Sequence, residues 1–322
     1  MRREVRRARM KIISGLDAIT AEDRGASAVI GNFDGVHRGH QAVLDLARRD
    51  APLGVVTFEP HPREVFAPDA PPFRLMRLEA RADRLASLGV DRMFVIDFTR
   101  EFSSLTAEQF CADIVAGQLG LTHAVVGADF RFGAKRAGDG AYLSEAGARL
   151  GFDVTIADLV ADASEEVSST AIRKALTEGR VEDATRMLGH LHRIEGVVEH
   201  GEKRGRELGY PTANLSLNGL MPPKFGVYAV EVTVKDGPHA GQYQGVASLG
   251  VRPMFGENKP NFETFIFDFE GDLYGARLSV GLVSYQRPEL KFDGLDGLIA
   301  QMDQDQARAR EILSEYRSGA SV

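Results

Sequence analysis

Up to about residue 187 the chain alternates short apolar runs with amphipathic stretches, and this alternation constrains its fold more than any other feature. The runs are "SAVIGNF" (27–33), "LGVVTF" (53–58), "DRMFVIDF" (91–98), "HAVVGADF" (123–130) and "DVTIADL" (153–159). Between them lie helix-like stretches such as "HQAVLDLARR" and "EARADRLASLG". Apolar runs without period-two alternation, separated by helices, predict strands of a parallel sheet covered on both faces. Such an α/β domain binds its ligands beyond the carboxyl ends of the strands.

Past residue 187 the pattern changes. "FGVYAVEVTV", "YQGVASLGV", "NFETFIFDFEG" and "ARLSVGLVSYQ" follow one another with turn residues between them, which predicts an antiparallel sheet or small barrel. Leu295, Leu298, Ile299, Met302, Ile312, Leu313 and Tyr316 recur at helical spacing, which predicts a C-terminal helix packed on that barrel. A chain of 322 residues exceeds the usual size of a single core. The boundary is placed at "RMLGHLHRIEG", giving domains of 11–187 and 188–322.

A net charge of −7 argues against a nucleic-acid partner, because neutralising phosphates needs a basic surface. A single cysteine excludes an internal disulfide and a thiolate-rich metal site, which fits a reducing cytoplasm. Cys111, within the helix-like "TAEQFCADIVAGQ", reads as a small buried apolar residue. No run is long and apolar enough to predict a membrane span or a signal-peptide core. "MRREVRRARM" carries five arginines and reads as an extension, with structured sequence starting near Met10. Homo-oligomerisation is left open.

Within "GNFDGVHRGH" (31–40), His37 and His40 stand at the start of the helix after the first run, three residues apart and so on one helix face. The unpaired amides of a first helical turn add positive partial charge there. Glycines at 31, 35 and 39 let a large ligand approach the backbone. The pattern suits stabilisation of negative charge on a phosphate chain. Two other uses of the histidines are a helix cap and a zinc site, although zinc needs a third ligand that the remaining histidines do not supply by clustering. Two further stretches suit a phosphate ligand. "GADFRFG" (127–133) carries Asp129 and Arg131 in a glycine-bracketed loop, and "SSTAIRKALTEG" (168–179) places three hydroxyls and Arg173 at a helix start.

In the second half, "RGRELGYPTANL" (204–215) offers a Thr212 hydroxyl and an Asn214 amide oxygen two positions apart after Pro211. Oxygen ligands of this kind suit Mg²⁺ bridging nucleotide phosphates, and the same residues also suit a hairpin turn. In "NFETFIFDFEGDLYG", period-two alternation places Glu263 on one face with Phe265, Phe267 and Phe269. Desolvation there would raise its pKa toward that of a base able to take a proton from an alcohol; a salt bridge is the competing use.

"GNFDGVHRGH", "TFEPHP", "GADFRFG" and "SSTAIR" resemble the FMN adenylyltransferase module of bacterial bifunctional riboflavin kinase/FAD synthetases, within the nucleotidyltransferase superfamily. "PTAN", "GVYA", "EGDLYG" and "RPELKF" resemble the riboflavin kinase module of the same family. The resemblance covers nearly the whole chain from about residue 11. It implies a Rossmann-like, nucleotidyltransferase-like α/β domain followed by an antiparallel β-barrel kinase domain with a C-terminal helix. It implies that riboflavin, ATP and Mg²⁺ yield FMN, and that FMN and a second ATP yield FAD and pyrophosphate.

The resemblance implies roles for His37, His40 and Arg173 at the phosphates, and for Gly31, Asn32, Phe33, Asp34, Gly39, Gly127, Asp129, Ser169 and Thr170 around the nucleotide of the first site. Gly209 and Pro211 would adjoin the nucleotide of the second, Thr212 and Asn214 the metal, and Glu263 would be the base. Phe58, Arg131 and Arg287 would lie near flavin. Two departures stand out. The family's usual N-P-T-F is "RPMF" at 252–255, with Met254 for the threonine, and the histidine two residues past the base is Phe265. The competing readings are a riboflavin kinase with an inactive nucleotide-binding N-terminal module, and a flavin sensor without turnover. Intact His37, His40 and Arg173 count against the first of these, and Glu263 against the second.

Overall fold

Each of the five apolar runs contains a strand, and a sixth strand that the periodicity does not announce joins them. A computed structural model of the chain describes residues 10–158, 161–162, 165–200, 210–251 and 260–319. The N-terminal extension, Gly209 and Met254 lie outside the described residues. The chain divides into two compact units, one of Met1–Pro71 with Leu78–Val167, the other of Pro72–Arg77 with Ser168–Val322.

In the first unit the strands of the main sheet are β1 (Lys11–Ser14), β2 (Ser27–Ile30), β3 (Leu53–Glu59), β4 (Arg92–Asp97), β5 (His123–Gly127) and β6 (Asp153–Ala157). They form one parallel sheet in the order β1-β4-β3-β2-β5-β6. β1 has only four residues, with Ile13 alone buried, too short a segment to show a period. The helices are α1 (Arg38–Leu46), α2 (Pro62–Phe66), α3 (Leu78–Ser87), α4 (Ala107–Gln109 continuing through Phe110–Gln118) and α5 (Gly140–Leu150). A capping box starts α4: the Thr106 hydroxyl accepts from Gln109 N–H, and Gln109 Oε1 accepts from Thr106 N–H. Within α4, Cys111 is fully buried and burial pushes its thiol up to about 11, so it is an inert apolar residue.

Strand order reverses at β2: the chain passes from β2 to β3 on one side, then returns after β4 to place β5 on the other. In an open parallel sheet that reversal opens a crevice between the carboxyl ends of β2 and β5. The segments leaving the sheet there are "GNFDGVHRGH" after β2 and "GADFRFG" after β5.

The second unit begins with α6 (Ser169–Glu178) and α7 (Val181–Leu188), closed by Gly179 and Gly189 in left-handed conformation. Six strands follow: β7 (His192–Val197), β8 (Thr212–Ser216), β9 (Gly226–Val234), β10 (Gly241–Val251), β11 (Pro260–Ile266) and β12 (Arg277–Arg287). They form an antiparallel sheet in the order β8-β11-β10-β9-β12-β7. A bridge between Glu199 and Asn214 draws the chain after β7 toward β8 and so curls the sheet toward a barrel. Only four of these strands are apparent from the pattern. β7 overlaps the boundary segment, and β8 lies in the stretch also compatible with a turn; Pro211 precedes it, as proline tolerates the start of a strand.

The predicted C-terminal helix is α8 (Leu295–Ser318), packed on β9, β10 and β12. Ala309 and Leu313 are buried with Ala229, Phe267 and Val283, whereas Leu295, at the first turn, is 54% exposed.

His192 is buried on the inner face of β7, and its Nε2 has no hydrogen-bond partner among the described residues. Burial, with the neighbouring His190 charge, lowers its pKa to about 4. The unfolded chain therefore binds a proton that the folded chain refuses between about pH 6.5 and 4, and stability falls as pH drops through that window. From pH 7.5 to 5 this one group removes about 2 kcal/mol, at 1.36 kcal/mol per pH unit. The melting temperature of wild type should fall over that interval by more than that of His192→Asn. Equal falls would assign the acid sensitivity elsewhere.

Candidate active sites

The first site is built where β2 ends. The chain leaves the sheet at Gly31 and reaches α1 through a loop in which Phe33 and Val36 have φ of 54° and 44°. Neither side chain favours the left-handed region, and both are buried, so packing holds this strained loop in place. His37 is the N-cap of α1, its Nδ1 accepting from His40 N–H at 3.3 Å. His37 therefore precedes the helix, and a ring stack brings the pair together: their centroids are 3.6 Å apart, with Phe33 4.8 Å from His40 on the loop. A side chain at Gly39 would come within 3.1 Å of the His37 ring, so the glycine permits the stack.

His40 Nδ1 is buried without a hydrogen-bond partner among the described residues. Burial, then the charges of His37 and Arg81, hold the imidazole well below its usual pKa. In the protein alone it is neutral at pH 7 and offers an N–H rather than a fixed positive charge. An adjacent polyphosphate would act in the opposite sense and favour imidazolium.

Arg81, on α3, is the contributor that the sequence reading missed. It is 1% exposed, donates from Nη1 to the Asn32 carbonyl at 2.8 Å and pairs with Glu59 at the end of β3. Thr57 Oγ1 donates to the same carbonyl at 3.2 Å. Asn32 is thus held by its backbone, while its Oδ1 is buried without a partner among the described residues. One signal was available: Leu78, Arg81, Ala82 and Leu85 follow i, i+3, i+4, i+7 spacing, with arginine in the apolar stripe. Arg81→Leu leaves Glu59 without that buried partner. It should lower stability of the first unit by about 3 kcal/mol and lower FAD formation at temperatures where the unit stays folded. Denaturant titration and an adenylyl-transfer assay check the two effects separately.

Asp34 is buried in the same loop, while Asp129 and Arg131 are exposed after β5. Arg131 folds back on its own chain, donating to the Phe130 carbonyl at 2.9 Å. Phe58 is 7% exposed, packed at 5.8 Å from Phe98 and 6.0 Å from Phe102. A flavin could stack on it only after those rings moved, because the strand end turns its ring into the core.

Ser168, Ser169, Thr170 and Arg173 belong to the second unit. The Ser168 hydroxyl caps α6, accepting from Ala171 N–H at 3.2 Å. Arg173 lies in the second helical turn, donating to the Phe73 carbonyl at 2.7 Å with its guanidinium 5.3 Å from the Phe73 ring centroid.

The second site is a row across the barrel sheet. Register pairs Asn214 with Glu263, Glu263 with Ser248, Ser248 with Val227, and Val227 with Arg287. Directly paired residues share a face, so Asn214, Glu263 and Arg287 come to one side of the sheet from three strands. Glu263 Oε1 accepts from Asn261 Nδ2 at 2.8 Å. The expected aromatic face is shorter than alternation predicts. The strand ends at Ile266 and Asp268 turns the chain with φ 52°, so Phe265 and Phe267 stay together, ring centroids 6.0 Å apart, and Phe269 leaves for the barrel core. Phe267 packs with α8 under the Arg310 guanidinium, and Phe269 lies edge-on to Tyr243.

Arg287 is engaged by Asp305 of α8 in two bonds of 2.8 and 2.5 Å, so its charge is matched within the protein. Pro211 is exposed, and the preceding Tyr210 packs on Phe265 and donates to Asp303 of α8. Thr212 and Asn214 are alternate residues of β8 and so face the same side. Among the described residues no three His, Cys, Asp or Glu side chains cluster as a metal cage. Two neutral oxygens fit a cation that takes most of its ligands from phosphates and water, as Mg²⁺ does.

Comparison with known proteins is consistent across both units. A family profile for FAD synthetase matches residues 19–171, and one for riboflavin kinase matches residues 188–313. The chain is 41% identical over 308 residues to the bifunctional riboflavin kinase/FMN adenylyltransferase of Escherichia coli K12, covering 94% of this chain and 97% of that protein. It is 42% identical to the protein of the same name from Pseudomonas fluorescens, over 94% and 98% of the two chains, and 36% identical to that of Bacillus subtilis, over 93% and 96%. A crystal structure described as a macrolide-efflux protein from Streptococcus pneumoniae is similar at TM-score 0.82 and 32% identity, covering 94% of this chain and 99% of that one. Among the described residues of this chain, no helix is long and apolar enough to cross a membrane.

Proposed function

The chain belongs to the family of bifunctional riboflavin kinase/FMN adenylyltransferases, and from that premise we propose how its residues divide the two reactions. It is a transferase that makes FAD from riboflavin: ATP phosphorylates riboflavin to FMN, and a second ATP adenylylates FMN with release of pyrophosphate. The kinase-only alternative is not favoured, because the relatives bear both activities in their names and the FAD synthetase profile matches the N-terminal half. Adenylyl transfer is assigned to residues 11–187 and phosphorylation to residues 188–322, both in the cytoplasm.

In the first step Glu263 takes the proton of the riboflavin 5′-hydroxyl as that oxygen attacks the γ-phosphorus of ATP, and ADP departs. Thr212 and Asn214 would hold Mg²⁺ through neutral oxygens, while Pro211 and Gly209 would border the nucleotide. Bound there, Mg²⁺ would offset charge on the phosphate oxygens. The cross-strand pairing of Asn214 with Glu263 is the observation that carries this assignment, since it puts a metal-type oxygen and a carboxylate side by side on one face.

In the second step a phosphate oxygen of FMN attacks the α-phosphorus of ATP, the bond to the bridging oxygen breaks and pyrophosphate leaves. His37 and His40 donate hydrogen bonds to the phosphates, and Gly31, Asn32, Phe33, Asp34 and Gly39 shape the loop beneath them. Gly127 and Asp129 border the nucleotide, and Ser169, Thr170 and Arg173 are assigned to phosphate oxygens by the family resemblance. Arg131, Arg287 and Phe58 keep flavin-side roles, Phe58 with the ring movement that its burial requires.

A time course of purified protein with riboflavin, ATP and Mg²⁺, resolved by chromatography, tests the scheme. FMN should appear first and FAD should follow. Accumulation that stops at FMN, with reductant present as well as absent, would leave only the kinase step.

A further inference from the structure

Asn261 stands two residues before Glu263 on β11, so both side chains leave the strand on one face. A carboxylate of a base accepts hydrogen bonds and donates none, so the Asn261 group 2.8 Å from Glu263 Oε1 is its NH₂. The same NH₂ lies 3.2 Å from the Asn214 amide, which makes that atom the Asn214 carbonyl oxygen. The Asn214 NH₂ is then directed to the Thr212 carbonyl of its own strand, at 3.3 Å. One polarity runs through the chain of contacts, set at the carboxylate and passed by Asn261 to Asn214.

We propose that Asn261 is a positioning residue of the phosphoryl-transfer site, holding the Glu263 carboxylate and fixing which end of the Asn214 amide is the oxygen beside it. This rests on the assignment of Glu263 as base and Asn214 as metal ligand. Without Asn261 the Asn214 carbonyl oxygen loses its donor, leaving the long 3.3 Å bond from its NH₂ to the Thr212 carbonyl to orient the amide alone, and Glu263 loses a charge-assisted bond. Phosphoryl transfer depends almost wholly on placement and charge neutralisation, so a small loss of alignment falls on the chemical step more than on flavin affinity.

The test uses the full chain. Asn261→Ala removes the group, Asn261→Asp keeps its shape without a donor, and Asn261→Thr returns one donor. Ala and Asp should lower kcat for FMN formation by about 30-fold or more, with KM for riboflavin within about threefold, and Thr should recover part of the loss. FAD formation from supplied FMN should be unchanged in all three. A purely structural role would lower the melting temperature without this split between kcat and KM.

A readout without turnover is calorimetric binding of ADP with Mg²⁺ and with chelator. Asn261→Ala should lose about fivefold in the presence of Mg²⁺ and nothing in its absence. Either a kcat within about twofold of wild type in both Ala and Asp variants or an unchanged Mg²⁺ enhancement would overturn the proposal. Glu263→Gln and Asn214→Ala run beside them. If either retains wild-type FMN formation, the underlying site assignment falls; if both are impaired and Asn261→Ala is not, only the role of Asn261 falls.

Discussion

His40→Ala should lower FAD formation from supplied FMN and ATP by about two to three orders of magnitude, the usual cost of losing a donor to developing negative charge, while FMN formation from riboflavin should continue at the wild-type rate. The His40 ring is stacked between His37 and Phe33 at the end of β2, in a loop whose backbone Arg81 and Thr57 hold from below. The ring is therefore held in place before nucleotide binds, so a donor on it needs little reorganisation. His40→Gln retains an N–H donor on a longer chain without the ring stack, so its loss should be smaller than that of Ala. Both steps are measured on one preparation, with thermal unfolding to show that the first unit still folds. If His40→Ala stopped FMN formation too in a folded protein, the assignment of the two reactions to separate sites would be wrong.

Glu263→Gln does the reverse. FMN formation should fall by about 10²- to 10⁴-fold, the range for loss of a positioned proton acceptor, and FAD formation from supplied FMN should be unchanged. Glutamine has nearly the shape of glutamate, and its carbonyl oxygen can still accept from Asn261, so the row from Asn214 to Arg287 keeps its geometry. What is lost is the capacity to take the hydroxyl proton. FAD formation from riboflavin stops as well, because no FMN is made for the second step. Undiminished FMN formation by this variant would move the base elsewhere in the barrel.

Much of the chemistry was readable in advance because it is local. The alternation up to residue 187 marked five of six parallel strands, and "GNFDGVHRGH" marked the strand-to-helix turn at which the histidines meet. The Ser168 cap and the left-handed Gly179 were likewise evident, since a helix end is decided by a few consecutive residues. β1 and β8 escaped notice because four or five residues beside a turn show no clear period. The alternation holds through Phe267, which packs with Phe265, and fails at Phe269 because Asp268 turns the chain between them.

By itself, then, the sequence determined the order of elements, the caps and the residue types at the two sites, because each depends on the period, dihedral preference and hydrogen-bonding capacity of near neighbours. The tertiary structure alone decided that Arg81 lies buried against Asn32 and Glu59, that Arg287 is engaged by Asp305, and that Asn214, Glu263 and Asn261 share one hydrogen-bonded row. All but the Asn261–Glu263 bond join strands and helices distant in sequence. Their partners follow from sheet order and register, and a one-residue shift of any one of these strands would have turned its own contribution to the other face.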